Sequence, residues 1–435
     1  MVYTGFICGG FTVTGGDISL ENIDTRWQPV VKSAEARIAG HRLYVPEFYD
    51  FCYHRGDDRN TGLRRYSMDA NADIDIVVPS NNHKLPIHIG ELEVSYAPFS
   101  VVLFSLRFDI DTQNIEDLIE VVNKLRYVSM YINDRSLDEF FSIAIAPIMK
   151  VYAACGAFRT KGFISDDVNS CKYLVEHSNK FRLFQIASVN EDFWANGNTD
   201  HVLFELGSMS RIGIVNPNDL FSPSNDYFQR TMEAGRIDIF NNWKGLALYD
   251  TFTMLGHEVS KDVREYWIEC NFKMLYMSQM FVKMYLTRLN KNFRMYLGDN
   301  YLKLNRNVAN KLQNRYDEFD CKCWFDTVAY SKLPCEIHNI MGRSMEISIE
   351  KERLYDKIMR QNLKREKLSD QRMNKLLFFM TMLAMSSAIW DACCLIEGMY
   401  PFDPHQSQLF IRVVTYVVVF VIFIVMFLSN RRSND

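Results

Sequence analysis

Hydrophobic positions along this 435-residue chain change their period as the chain proceeds. Over the first 110 residues they alternate with polar ones. IDIVVP at 74–79, LPIHIGELEVSYA at 85–97 and FSVVLFSLRFDI at 99–110 are rich in β-branched and aromatic residues and bounded by turn formers, which predicts strands. At Asn114–Tyr127 the period lengthens to that of a helix, with Ile115, Leu118, Val121, Val122 and Leu125 on one side. Ser136 and Glu139 have the spacing of a capping box and predict a helix from there to about Cys155. Pro147, Lys150 and an apolar run of about sixteen residues make it a core helix, since a membrane span needs about twenty. Strands are further expected at 181–189 and 201–214, and the Pro-, Asn- and Ser-rich stretch 215–226 reads as a joint. Gly9-Gly10 and Gly15-Gly16 lack the Lys-Ser/Thr of a phosphate loop and predict turns between short strands.

After the joint the pattern becomes helical. Residues 236–256 hold one last strand, and Val259–Asn290 runs long, rich in Met and aromatics, with no Gly or Pro. A charged stretch from about Asn339 to Asn374 is helical again. Its Ile340, Ile347, Leu354, Ile358 and Leu368 keep an approximate heptad spacing that suits self-association, although a solvated connector laced with Glu–Lys pairs fits the same pattern.

The polybasic helix then runs into an apolar segment at 376–396, a loop at 397–408 without Lys or Arg, a second apolar segment at 409–428 and a basic tail at 429–435. Leu409–Leu428 carries one charge, Arg412, close enough to one end to reach the headgroups, and its length matches the roughly 30 Å hydrocarbon core. The first segment is less apolar, with Thr381, Ser386, Ser387 and Asp391. A lipid-facing Asp there costs roughly 2.5–3.5 kcal/mol, so it is expected to face water or protein. Arg365, Lys367, Arg372 and Lys375 before the hairpin, with Arg431 and Arg432 after it, predict both termini in the cytoplasm of a bacterium and the loop outside its inner membrane. Met1–Gly16 has neither the basic start nor the apolar core of a signal peptide.

The expected fold is thus an α+β (α/β layered) cytosolic domain at 1–225, its helical part at 226–338, a stalk helix at 339–375 and a two-helix transmembrane hairpin. Composition supports a substantial core: 48% of residues are hydrophobic and 14% aromatic. A net charge of −4 gives no reason to expect nucleic-acid binding, since the basic residues cluster beside the apolar segments. Ten cysteines without a pairing pattern are expected as reduced thiols. Cys321, Cys323, Cys335 and His338 form C-x-C…C-x-x-H, an acceptable tetrahedral zinc set if a loop between helices carries it. His257-Glu258 lacks the second helical His of a zinc hydrolase, and no Ser/His/Asp or Cys/His set can be assembled, so no enzyme activity is expected. No motif in the soluble region marks ligand-binding residues.

Counting back from Gly398 in steps of three and four gives Cys394 or Leu395, Asp391, Ser387 or Ala388, Ala384, Thr381 and Asn374, a stripe of mainly small and polar residues. Small residues also allow close helix packing, but packing alone leaves Asp391 unexplained. The stripe continues into Gly398-Met399-Tyr400, flanked in the loop by Glu397 and Asp403, which would concentrate cations at a pore mouth. This organisation resembles the CorA superfamily, whose signature is a Gly-Met-Asn tripeptide at the outer end of the first span. The resemblance implies a homo-oligomer, typically a pentamer, that conducts divalent cations such as magnesium through a pore lined by the first span. Tyr400 stands where the family has the Asn amide that holds hydrated magnesium, so magnesium selectivity is not implied. The segment FNNWKGLALYD (240–250) and the degraded tripeptide look like the CorA-like proteins that accompany type III CRISPR systems. That resemblance implies opening by a nucleotide messenger, of which a conjugate of S-adenosylmethionine with AMP is one. A constitutive divalent-metal transporter and a membrane-anchored enzyme or scaffold are the alternatives.

Overall fold

The computed structural model describes residues 1–13, 20, 23–31, 34–53, 62–155, 167–175, 178–211, 223–298, 306–399, 413 and 417. Nine strands form one sheet: β1 (Val2–Thr12), β2 (Gln28–Pro29), β3 (Arg64–Val77), β4 (Lys84–Ala97), β5 (Val101–Asp111), β6 (Arg182–Val189), β7 (Arg236–Phe240), β8 (Trp243–Ala247) and β9 (Thr251–His257). Their order is β2-β3-β4-β5-β1-β6-β9-β8-β7. Every neighbour pair is antiparallel except β6 and β9, which run parallel.

The hairpin β3–β4 closes through Asn82, whose φ of 55° lies in the left-handed region that Asn tolerates better than most side chains. Strand β1 is buried on both faces, which is why it reads as a nearly unbroken apolar run. Its glycines serve packing. Gly5 and Gly9 stand opposite Phe108 and Phe104 of β5, and those rings lie over them, only 2.4 and 2.3 Å from where a Cβ would sit. The turn expected at Gly9-Gly10 is therefore corrected to strand, and Gly15-Gly16 lies outside the described residues.

Helices cover both sides of the sheet. On one side lies α1 (Ile115–Arg126), capped by Asn114, whose side chain accepts from the Glu116 amide; Leu118, Val121, Val122 and Leu125 are buried as their spacing predicts. The capping box at Ser136 is not the cap the fold uses. Asp134 accepts from the Ser136 amide and starts a 3₁₀ turn, which leads through a wide turn at Phe141–Ile145 into α2 (Ala146–Ala154). Tyr152 of α2 packs its ring edge-on to Phe11 of β1 at 4.8 Å. Of the segment expected as a strand at 201–214, the residues up to Ser208 instead belong to α3 (Thr199–Ser208), capped by Asn198, and 212–214 lie outside the described residues.

On the other side, α4 (Phe272–Gly298) lays Lys273 over the ring of Phe6 and Tyr276 beside Phe184. Two further helices follow, α5 (Arg306–Cys323) and α6 (Lys332–Ser344). Strands β7, β8 and β9 lie beyond residue 225 yet belong to the same sheet, with Leu183 of β6 registered on Thr251 of β9. The expected division at 225/226 therefore runs through one layer, and its single last strand is three.

The charged stretch after residue 339 is also broken. Helix α6 stops at Ser344, Glu346 takes a φ of 56°, and α7 (Ile347–Met399) begins. Residues Met1–Leu354 and Tyr355–Asp435 form two separate compact units. Ile340, Ile347, Leu354 and Ile358 are buried within the single chain, so the heptad residues expected to meet a partner copy are already covered; Leu368 is exposed.

Candidate functional site

Helix α7 is long and apolar enough to cross a membrane by length and composition, and its most apolar stretch has no residue buried within the chain. It is one such helix among the described residues. The second expected span, 409–428, lies outside them apart from Val413 and Val417, which are helical and exposed.

Asn374, Thr381, Ala384, Ser387 and Asp391 all lie on α7 and are exposed. With about 100° between successive residues, Ala384, Ser387, Asp391 and Gly398 fall within about 60° of one another. Asn374 is about 120° from Gly398 on a straight helix, so the full stripe lines up only if the helix supercoils on a seven-residue repeat. The hydroxyls of Thr381 and Ser386 donate to the carbonyl oxygens of Leu377 and Leu383, each at 2.8 Å, which satisfies them inside the helix. Asp391 has no such local answer. Glu397, Gly398 and Met399 fall in α7, so the helix outlasts the span end expected at residue 396. Tyr400 and Asp403 lie outside the described residues.

The zinc set does not come together. Cys321 and Cys323 are on α5, where residues two apart point about 200° away from each other. Cys321 is exposed and Cys323 buried, and burial pushes the Cys323 thiol up to about 12. The Cys335 thiol donates to the Ala329 carbonyl oxygen at 3.3 Å. His338 is packed edge-on against Phe48, and burial lowers its pKa to about 4. Among the described residues, no three His, Cys, Asp or Glu side chains are grouped to hold a metal. The zinc expectation is corrected: it needed a loop, and the fold supplies a helix.

A cleft that no sequence pattern announced lies where β6 begins. Cys8 is the last residue of β1 registered on β6, opposite Arg182; beyond it Gly9 and Gly10 continue without β6 beside them. The gap is a cavity of about 320 Å³ walled by Lys180, Arg182, Tyr249, Asp250, Lys283 and Glu350. Asp250 lies just before β9 and takes the buried guanidinium of Arg126 at 3.0 Å and Lys180 Nζ at 2.6 Å. Burial pushes its carboxyl up, but these cations outweigh burial and hold it below the usual carboxylate range. Arg182 Nη1 donates to the Tyr249 carbonyl oxygen at 2.5 Å. Lys283 Nζ on α4 donates to Glu350 Oε1 at 3.0 Å, and Asn290 Nδ2 donates to Glu350 Oε2 at 3.1 Å. These residues come from four distant segments, and each in its own segment looks like an ordinary polar position.

No family model matches the chain. No curated protein matches it either. It is similar to the structure of the full-length CmaX protein, at 9% identity over 59% of this chain and 90% of that one, with a TM-score of 0.22. A likeness of that size supports no conclusion about function.

Proposed function

We propose that this chain is a CorA-like, homo-oligomeric membrane ion channel, opened by a nucleotide messenger held in its cytosolic region, and that it serves type III CRISPR antiviral defence. The observation that carries the reading is Asp391, an exposed carboxylate in the apolar part of α7 that repeats at seven-residue spacing with Ala384 and Gly398. Turned toward lipid, it costs about 2.5–3.5 kcal/mol. Turned toward a shared aqueous axis, it meets water, and the small residues around it let neighbouring copies approach closely.

Identical helices around such an axis present a ring of carboxylates that attracts cations and repels anions. The basic residues that flank the apolar segments hold both termini on the cytoplasmic side of the bacterial inner membrane. A messenger opens the pore only to the extent that it binds the open state more tightly than the closed one. Tyr400 in the tripeptide removes the amide suited to hydrated magnesium, which favours a less selective cation path.

The experiment is cation flux through vesicles reconstituted with the full chain, with and without the S-adenosylmethionine–AMP conjugate, alongside the oligomeric mass in detergent. An oligomer whose flux requires the nucleotide supports the proposal. Flux that instead rises on magnesium depletion makes the protein a constitutive divalent-metal transporter. A monomer without flux sinks the channel and leaves an anchored enzyme or scaffold.

A further inference from the structure

The charges of α7 nearest its apolar stretch are sorted by face. Earlier in the helix, Asp356 and Arg360 make the turn-spaced pair of a solvated connector, at 3.7 Å. Closer to the apolar stretch, Glu366, Asp370, Arg372 and Lys375 are all exposed, and among the described residues none of them has an ion-pair or hydrogen-bond partner. Helical geometry accounts for this. Glu366 and Asp370 fall within about 60° of Asp391, on a straight helix and on a seven-residue repeat alike, whereas Gln371, Arg372 and Lys375 are turned about 100° or more away from it. Orientation in a membrane depends on how many cations stand beside a span, not on which face carries them. The one-sided placement therefore needs another reason.

We infer that Gln371, Arg372 and Lys375 bind the headgroup of an anionic phospholipid in the cytoplasmic leaflet. Arg372 and Lys375 are three residues apart and Gln371 and Lys375 four, so the three side chains share one patch about 6 Å across. Their rise along the helix is also about 6 Å, the depth of the headgroup layer, and the apolar segment begins at the next residue, 376. Arg372 offers the phosphate a fork of donors, Lys375 a point charge, and the Gln371 amide a hydrogen bond to ester or hydroxyl oxygens. Both acids of 364–375 lie on the Asp391 side, so no carboxylate of that stretch competes for these cations. Lys364 and Lys367 add positive charge just outside the layer. With Asp391 turned to the shared axis of the proposed channel, the patch faces outward, where lipid surrounds the assembly. That direction rests on the channel reading, whereas headgroup binding rests only on α7 crossing the bilayer.

Electron spin resonance of the full chain in phosphatidylcholine bilayers tests this, with spin-labelled phosphatidylglycerol or spin-labelled phosphatidylcholine as the probe. The protein is expected to immobilise the phosphatidylglycerol probe about fivefold more strongly, the contribution of one Lys or Arg at an anionic surface, and less so at high salt. Arg372→Gln combined with Lys375→Gln should bring the two probes within about twofold, while Arg372→Lys combined with Lys375→Arg keeps the preference. Glu366→Gln combined with Asp370→Gln changes net charge by the same amount on the opposite face and should leave the preference within about twofold. A preference that rises there as much as it falls in the first variant follows net charge alone and overturns the site. Equal immobilisation of both probes, or an unchanged preference in Arg372→Gln with Lys375→Gln, overturns it too. Displacement of the probe by millimolar glycerol phosphate gives the patch to a soluble phosphate and overturns the lipid. A protein that immobilises neither probe does not span the bilayer, and the site and the channel fall together. Selective immobilisation by a protein that conducts nothing upholds the site and removes the channel.

Discussion

Lys273 Nζ lies 2.8 Å from Glu93 Oε2, and both side chains are only 3% exposed. Arg65 closes on the same carboxylate from the other side, at 2.6 and 2.9 Å, and the Ser95 hydroxyl donates to it at 3.2 Å. Burial alone would push the Glu93 carboxyl up; Arg65 and Lys273 outweigh it and hold the group well below the usual carboxylate range. The three charges join β3, β4 and α4, so the cluster fastens the helix to the sheet. Glu93→Gln leaves the buried Lys273 without a counter-charge and takes from Arg65 its ion-pair partner, and is expected to cost about 3–5 kcal/mol. Lys273→Met keeps the Arg65–Glu93 pair and should cost less. Denaturant unfolding of the two variants checks the order; equal midpoints for Glu93→Gln and the unmodified chain would remove the cluster from the list of stabilising contacts.

Asp391 offers the sharpest test of the membrane reading. Its substitution by Asn keeps the shape and removes the charge, so a pore that it lines should lose preference for cations over anions while still conducting. Ion-selectivity measurements on reconstituted protein read this directly. If Asp391→Asn and Asp391→Ala both leave permeation and selectivity as they were, the residue does not face the path.

What could be read from the chain follows from the range of the interactions. Strands β4 and β5, the end of β3 and helix α1 were readable because one buried face imposes a period on neighbouring residues; the first ten residues of β3, Arg64–Asp73, were not. Asp391 was readable because a single acid in an apolar run is a local anomaly. The place of β1 at the centre of the sheet was not, since its register with β5 and β6 is set by residues far along the chain. Its glycines looked like turn formers because the rings that need them, Phe104 and Phe108, sit on another strand. The helix Thr199–Ser208 was misread as strand although Asn198, its cap, was a local signal that could have corrected the reading. The buried charges had no such signal: Glu93 and Lys273 are 180 positions apart and meet only after the layers assemble.

His338 predicts a pH dependence with a definite sign. Burial lowers its folded pKa to about 4 from an ordinary value of 6.5. Between those values the unfolded chain binds a proton that the folded chain does not, so stability falls as pH drops from 6.5 toward 4 and this contribution is flat below that. At pH 5 the loss relative to pH 7.5 is about 2 kcal/mol. His338→Phe removes this part of the slope while leaving that of the carboxylates. Unfolding midpoints at the two pH values, in both proteins, give the comparison; identical slopes would mean that the imidazole is hydrated in the folded state.

The cysteines of α5 make the corrected metal site measurable. Cys321 faces solvent, whereas Cys323, two residues on, is buried with its thiol pushed up to about 12. Only the thiolate attacks an alkylating reagent, so burial protects Cys323 twice, by access and by protonation. Maleimide labelling at neutral pH followed by peptide mapping should therefore modify Cys321 fast and Cys323 only after denaturation. A bound zinc would predict the reverse: both thiols protected together, and both released together by a chelator. Co-protection that EDTA abolishes would restore the four-ligand site, and a helix boundary earlier than Cys321 would then be needed to let the pair converge.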